Sequence, residues 1–158
     1  MKVKKSVLNV CAVLSLLGCG AVWGADATLG QAGRLLESGR GSEAYVLLES
    51  LEPERAGEIE YDLLLGLAAL EAGQNTRAVF ALERVLAQEP NNARARAEIA
   101  RAYLALGETK NARREFENVR SMGVPAEVGS TIERFLAAVE RLEDEARTQV
   151  RGYLELGL

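Results

Sequence analysis

The sequence has no histidine in 158 residues, and only three prolines and one tryptophan. Without histidine the commonest general base of enzymes is missing. Both cysteines, Cys11 and Cys19, fall in the first twenty residues, so a chain that sheds this segment has no thiol and no disulfide. There is no phosphate loop and no dinucleotide fingerprint. The acidic run Glu140, Glu143, Asp144 and Glu145 lacks the glycine-punctuated loop of a calcium site and suits a solvated helix end. Together these absences predict a protein that is not an enzyme and that carries no cofactor and no metal.

Aromatic residues make up only 5% of the chain, which is rich in Ala, Leu, Glu and Arg, the composition of a soluble helical protein. Lysine is also scarce. Apart from Lys110, every lysine lies in the opening "MKVKK". That basic start is followed by "SVLNVCAVLSLLG" and then by small residues, the pattern of a secretory signal. The apolar run is shorter than the roughly 20 residues needed to span a bilayer. Cleavage is expected after Gly24, giving a signal peptide over 1–24, or as late as Ala27. "LLGC", ending at Cys19, also resembles a bacterial lipobox, in which Cys19 would carry lipid. Either route implies an exported protein, expected in the periplasm. Formal charge is 19 − 23 = −4, and loss of Lys2, Lys4 and Lys5 makes it 16 − 23 = −7. An acidic chain gives no electrostatic reason to bind nucleic acid. In "ARARAEIARAY" the arginines alternate with small residues, as on a solvated helix face.

A period of 34 residues runs through the middle of the chain. Gly39, Gly73 and Gly107 share it, as do Ala44, Ala78 and Ala112, and Ala32, Gly66 and Ala100. Leu48, Leu82 and Phe116 form a further column, as do Leu51, Val85 and Val119, and Leu35, Ala69 and Tyr103. Each column has a physical reason. The glycines fit the left-handed turn that ends a first helix, A. The Ala/Gly columns let a second helix, B, approach closely, and the Leu/Phe column fills the space between them. Pro90 predicts the end of the second helix B, and Asn92 a cap for the next helix.

The middle unit, "IEYDLLLGLAALEAGQNTRAVFALERVLAQEPNN", resembles the tetratricopeptide repeat (TPR). The resemblance implies three repeats, 25–58, 59–92 and 93–126, stacked as an all-α solenoid of antiparallel helix pairs. Residues 127–147 carry Val128, Ile132, Phe135, Val139 and Leu142 on one stripe and predict a capping helix. In this family helix A side chains line a concave groove. The resemblance therefore implies a peptide-binding surface at Leu63, Leu67, Leu70, Arg94, Arg101 and Leu104, suited to a segment with apolar anchors and an acidic residue. The same leucines fit equally well as core between neighbouring helices.

The ending "RGYLELGL" alternates with a period of two, so residues 148–158 are expected as a short β-like tail or as the first strand of a barrel. Signal, repeats, cap and strand follow one another in the order of the surface lipoprotein assembly modifier family. In that family a periplasmic TPR domain precedes an outer-membrane barrel, and "PAEVGSTIERFLAAVERLEDEARTQVRGYLELGL" resembles the junction. This resemblance implies a scaffold for protein–protein interaction, serving as the arm of a barrel that exports or assembles other proteins. The alternative is an outer-membrane lipoprotein, anchored through Cys19, that acts as a pilotin or assembly factor.

Overall fold

The computed structural model describes residues 20–156. They form α1 (Gly20–Glu37), α2 (Gly41–Glu49), α3 (Glu52–Arg55), α4 (Ile59–Glu71), α5 (Asn75–Gln88), α6 (Ala93–Ala105), α7 (Thr109–Ser121) and α8 (Ala126–Leu156). Helices α1, α4 and α6 are the A helices, and α2, α5 and α7 are their antiparallel B partners. Each A helix packs on its own B helix, and each B helix on the next A helix, which makes the expected solenoid. The predicted 1–24 segment lies mostly outside the described residues, and both candidate cleavage points fall within α1.

The turn from A to B is the same in every repeat. Gly39, Gly73 and Gly107 have φ of 71°, 74° and 76°, the left-handed region that favours glycine. The N–H of Gly73 donates to the carbonyl of Leu70 at 3.1 Å, and that of Gln74 to Ala69 at 2.8 Å. The same two bonds recur at Gly39 and Arg40, and at Gly107 and Glu108, so each helix A closes its last carbonyls in a Schellman motif.

Helix A meets helix B through the small columns. Ala32, Ala44, Ala78, Ala100 and Ala112 are fully buried, as are Leu48, Leu82 and Phe116. At Gly66 even a methyl group would not fit, because a Cβ there would lie 2.6 Å from Leu82 Cγ. α5 ends at Gln88, before Pro90, and the Asn92 side chain accepts a hydrogen bond from the Ala95 N–H at 2.9 Å, capping α6.

Ion pairs tie the helix pairs together, with inverted sign. In α4 the fully buried Asp62 accepts from Arg84 Nε and Nη2 of α5 at 2.9 and 2.6 Å, and from the Gly57 N–H at 2.9 Å. Thirty-four residues on, in the same register, the A position is Arg96, which donates to Glu115 of α7 at 2.6 Å. Burial raises the Glu115 pKa, but hydrogen bonds from Arg114, Arg96 and Asn118 outweigh it and leave the group below its ordinary value. Tyr61 donates from its hydroxyl to the Leu48 carbonyl at 2.9 Å, and burial pushes its pKa up to about 12.

Two elements differ from expectation. Helix B of the first repeat is broken at Ser50–Leu51 into α2 and α3, with Pro53 in the first turn of α3. Proline cannot continue a helix interior and is tolerated at a helix start. The second difference is the ending. The period-two stretch expected as a strand is helix as far as Leu156, and the cap expected over 127–147 becomes the 31-residue α8. Among the described residues no strand lies beside it, and a helix satisfies its N–H and carbonyl groups within itself. The α8 stripe also continues past Leu142 at Ala146 and Val150 with spacings of four. Residues 157 and 158 lie outside the described residues.

The same substitution should act with opposite sign at two glycines. Gly66→Ala forces Leu82 to shift, and the expected net loss is about 1–2 kcal/mol, overpacking outweighing the gain in helix propensity. Gly33, inside α1, has nothing within 4 Å of a Cβ, so Gly33→Ala should stabilise by roughly 0.5–1 kcal/mol. Thermal midpoints of the two variants check both.

The Arg96–Glu115 tie should give stability that is present at neutral pH and lost as pH falls below the ordinary glutamate value of 4.5, because the folded-state pKa is lowered. Urea titrations at neutral and acid pH should therefore show Glu115→Gln clearly weaker than the parent at neutral pH, with the gap shrinking in acid.

Candidate functional site

The A helices do not form a uniform row. α1 packs beside α4, and α4 beside α6, but α8 rests on α7 and stands off from α6. The gap between α6 and α8 is a cleft of about 690 Å³. One wall is the α6 face carrying Ala93, Arg94, Ala97 and Arg101. The other is the start of α8, with Val128 and Thr131, reached through Val124 and Pro125. Its floor is Phe116 of α7 and Phe135 of α8, whose rings stack with centroids 5.0 Å apart and planes 4° from parallel.

The reason for the opening lies in one register of the repeat. In α4 the groove face carries Leu63, Leu67 and Leu70. Thirty-four residues on, the same positions in α6 are Ala97, Arg101 and Leu104. The α4 leucines are large enough to reach the neighbouring A helices: Leu67 is 9% exposed, and Leu63 and Leu70 are half-buried against a cluster that includes Ile99 and Ala102 of α6. Ala97 cannot fill the corresponding space before α8, and Arg101 extends to solvent. Leu104 is half-buried against the cluster around Phe116.

The structure therefore separates the six residues expected in the groove. Arg94 and Arg101 line the cleft and are exposed, whereas Leu63, Leu67, Leu70 and Leu104 do not line it. The second wall was missed. In the sequence Val128, Ile132 and Phe135 read as an apolar stripe that covers the last repeat. In fact Ile132 is buried, Phe135 is half-buried and Val128 is 41% exposed.

The charged residues lining the cleft are Arg94, Glu98, Arg101 and Glu127. Arg101 pairs with Glu98 at 2.6 Å. Arg94 on α6 and Glu127 on α8 form no ion pair among the described residues. Behind α6, the Tyr103 hydroxyl donates to Glu83 at 3.2 Å, and burial pushes its pKa up to about 12. The cleft thus offers apolar surface, the half-buried Phe135 ring, the Arg101–Glu98 pair and the charges of Arg94 and Glu127, unpaired among the described residues. Among the described residues there is no group of three His, Cys, Asp or Glu that could hold a metal ion. Such a surface can bind an apolar side chain and orient a charged neighbour.

The family model for the tetratricopeptide repeat matches residues 69–127. No curated protein matches the sequence. Among solved structures, the fold is similar to PcrH in complex with the chaperone binding region of PopD, with a TM-score of 0.66 at 18% identity over 81% of this chain and 99% of that one. PcrH from Pseudomonas aeruginosa on its own gives 0.64 at 18% identity over 80% and 99%. The first TPR domain of human RPAP3 gives 0.64 at 13% identity over 78% and 95%. The fold is an all-α tetratricopeptide-type solenoid, and it carries a family-matched repeat segment over residues 69–127.

Proposed function

We propose that the chain is an exported, non-catalytic scaffold that captures a segment of another protein on its helix A face. The observation that carries this is the open apolar cleft between α6 and α8, whose rim charges are Arg94, Arg101, Glu98 and Glu127. Shape and composition suit side-chain capture. The likeness to PcrH, solved with a region of PopD, supports peptide capture as something this architecture can do.

Export is supported by the basic and apolar opening of the chain, and also by the repeat register. α4 spans 59–71 and α6 spans 93–105, thirteen residues each. Stepping back one repeat of 34 puts helix A of the first repeat at 25–37. A cut after Gly24 would therefore free the chain at the first residue of that register. The binding surface would then act in the periplasm, against an extended or helical segment with apolar anchors.

We assign the scaffold to the outer membrane as the arm of a barrel protein that exports or assembles other proteins. With residues 148–156 helical, this setting rests on the sequence order of an export signal followed by repeats and a capping helix. The alternative is a lipid on Cys19. Fractionation of native cells tests both. A heat-modifiable outer-membrane band well above the 17.1 kDa of this chain supports the barrel arm. Incorporation of labelled fatty acid, lost in Cys19→Ser, supports the lipoprotein. A cytoplasmic band with the first 24 residues intact overturns export itself.

A further inference from the structure

Resting on the protein-capture function above, we infer that the α6–α8 cleft selects a segment with one bulky apolar anchor flanked by a single acidic residue. The anchor lies over Phe135, and the carboxylate meets Arg94.

The volume of the cleft, about 690 Å³, falls in the range of roughly 300–1,000 Å³ usual for ligand pockets. Its floor is the half-buried Phe135 ring, backed by the buried Phe116 ring that stacks on it, and Val124, Val128 and Ala97 line its sides. An aromatic or branched aliphatic side chain entering here is desolvated on several sides, the setting in which an anchor contributes most to binding.

The rim decides which charge accompanies the anchor. Arg101 is already neutralised by Glu98 at 2.6 Å. Arg94 is exposed at the second position of α6 with no ion-pair partner among the described residues, so it attracts a carboxylate at that mouth of the cleft. Glu127 holds the second position of α8 on the opposite wall and repels a further acid there. One acid on the α6 side is favoured, and an acidic run is not. This electrostatic pattern orients the segment more than it tightens it.

The test is selection of random dodecapeptides displayed on phage against the full chain, followed by affinity measurement with the enriched peptides. We expect enriched sequences with an aromatic or branched aliphatic residue beside one Asp or Glu. Ala97→Trp, which fills the cleft, should weaken them by about tenfold or more. Arg94→Glu should weaken them by about fivefold, and exchange of the peptide acid for Lys should recover much of that loss. Phe80→Ser, a change at an exposed side chain of α5 outside the cleft, should bind as the parent does. If Ala97→Trp disturbs folding by circular dichroism, Arg94→Glu at its exposed site still decides. Enriched peptides that bind the parent, Ala97→Trp and Arg94→Glu alike overturn the cleft assignment and leave the scaffold function standing. No enrichment above a blank surface overturns both.

Discussion

The closeness of helix A to helix B governs everything else in this solenoid. At the Gly66–Leu82 crossing there is no room for a methyl group, and the alanines of the matching columns are wholly buried. Without disulfides among the described residues, cohesion comes from this packing. The left-handed glycines reverse the chain so that the small faces meet. Asp62–Arg84 and Arg96–Glu115 then fix how each B helix lies on its A helix. The sign inversion between these ties makes a one-repeat slip unfavourable, since it would set Asp62 against Glu115 and Arg96 against Arg84.

The cleft is a consequence of the same packing rule applied to different side chains. Where leucine occupies the A-face positions of α4, the next A helix closes over it. Where alanine and arginine occupy them in α6, the next helix stands off. An apolar cleft thus arises beside the third helix pair from a few side-chain choices, and the backbone plan is unchanged. The rings of Phe116 and Phe135 floor it because α8 docks on α7 through Ile132 and Val139.

Much of this architecture was legible in residue spacing. The turn glycines accept a left-handed backbone that other residues avoid, the small alanines allow close helix approach, and Asn92 can accept a capping hydrogen bond, so their positions can be assigned from the chain alone. The break in the first helix B is marked by Pro53, which the 34-residue columns do not include. The terminal alternation suggests a strand because four apolar positions also fit a period of two; among the described residues no strand lies beside it, and a helix satisfies its backbone groups within itself. Of the six residues expected in a groove, Arg94 and Arg101 line the α6–α8 cleft and the four leucines do not. Periodicity shows which face of a helix is apolar, but it does not show which neighbour covers it. That is why Leu67 proved buried while Arg94 and Arg101 stayed open. Ala97, a small side chain at a groove position, was the available sign of a gap.

The central claim is that capture occurs between α6 and α8. Site-specific photocrosslinking in the cells that make the protein tests it most directly, with a benzophenone side chain placed at Thr131 inside the cleft or at Phe80 on α5. The account predicts a discrete adduct from position 131, suppressed by Arg94→Glu, and none from position 80. An adduct from position 80, with nothing from 131, would contradict it.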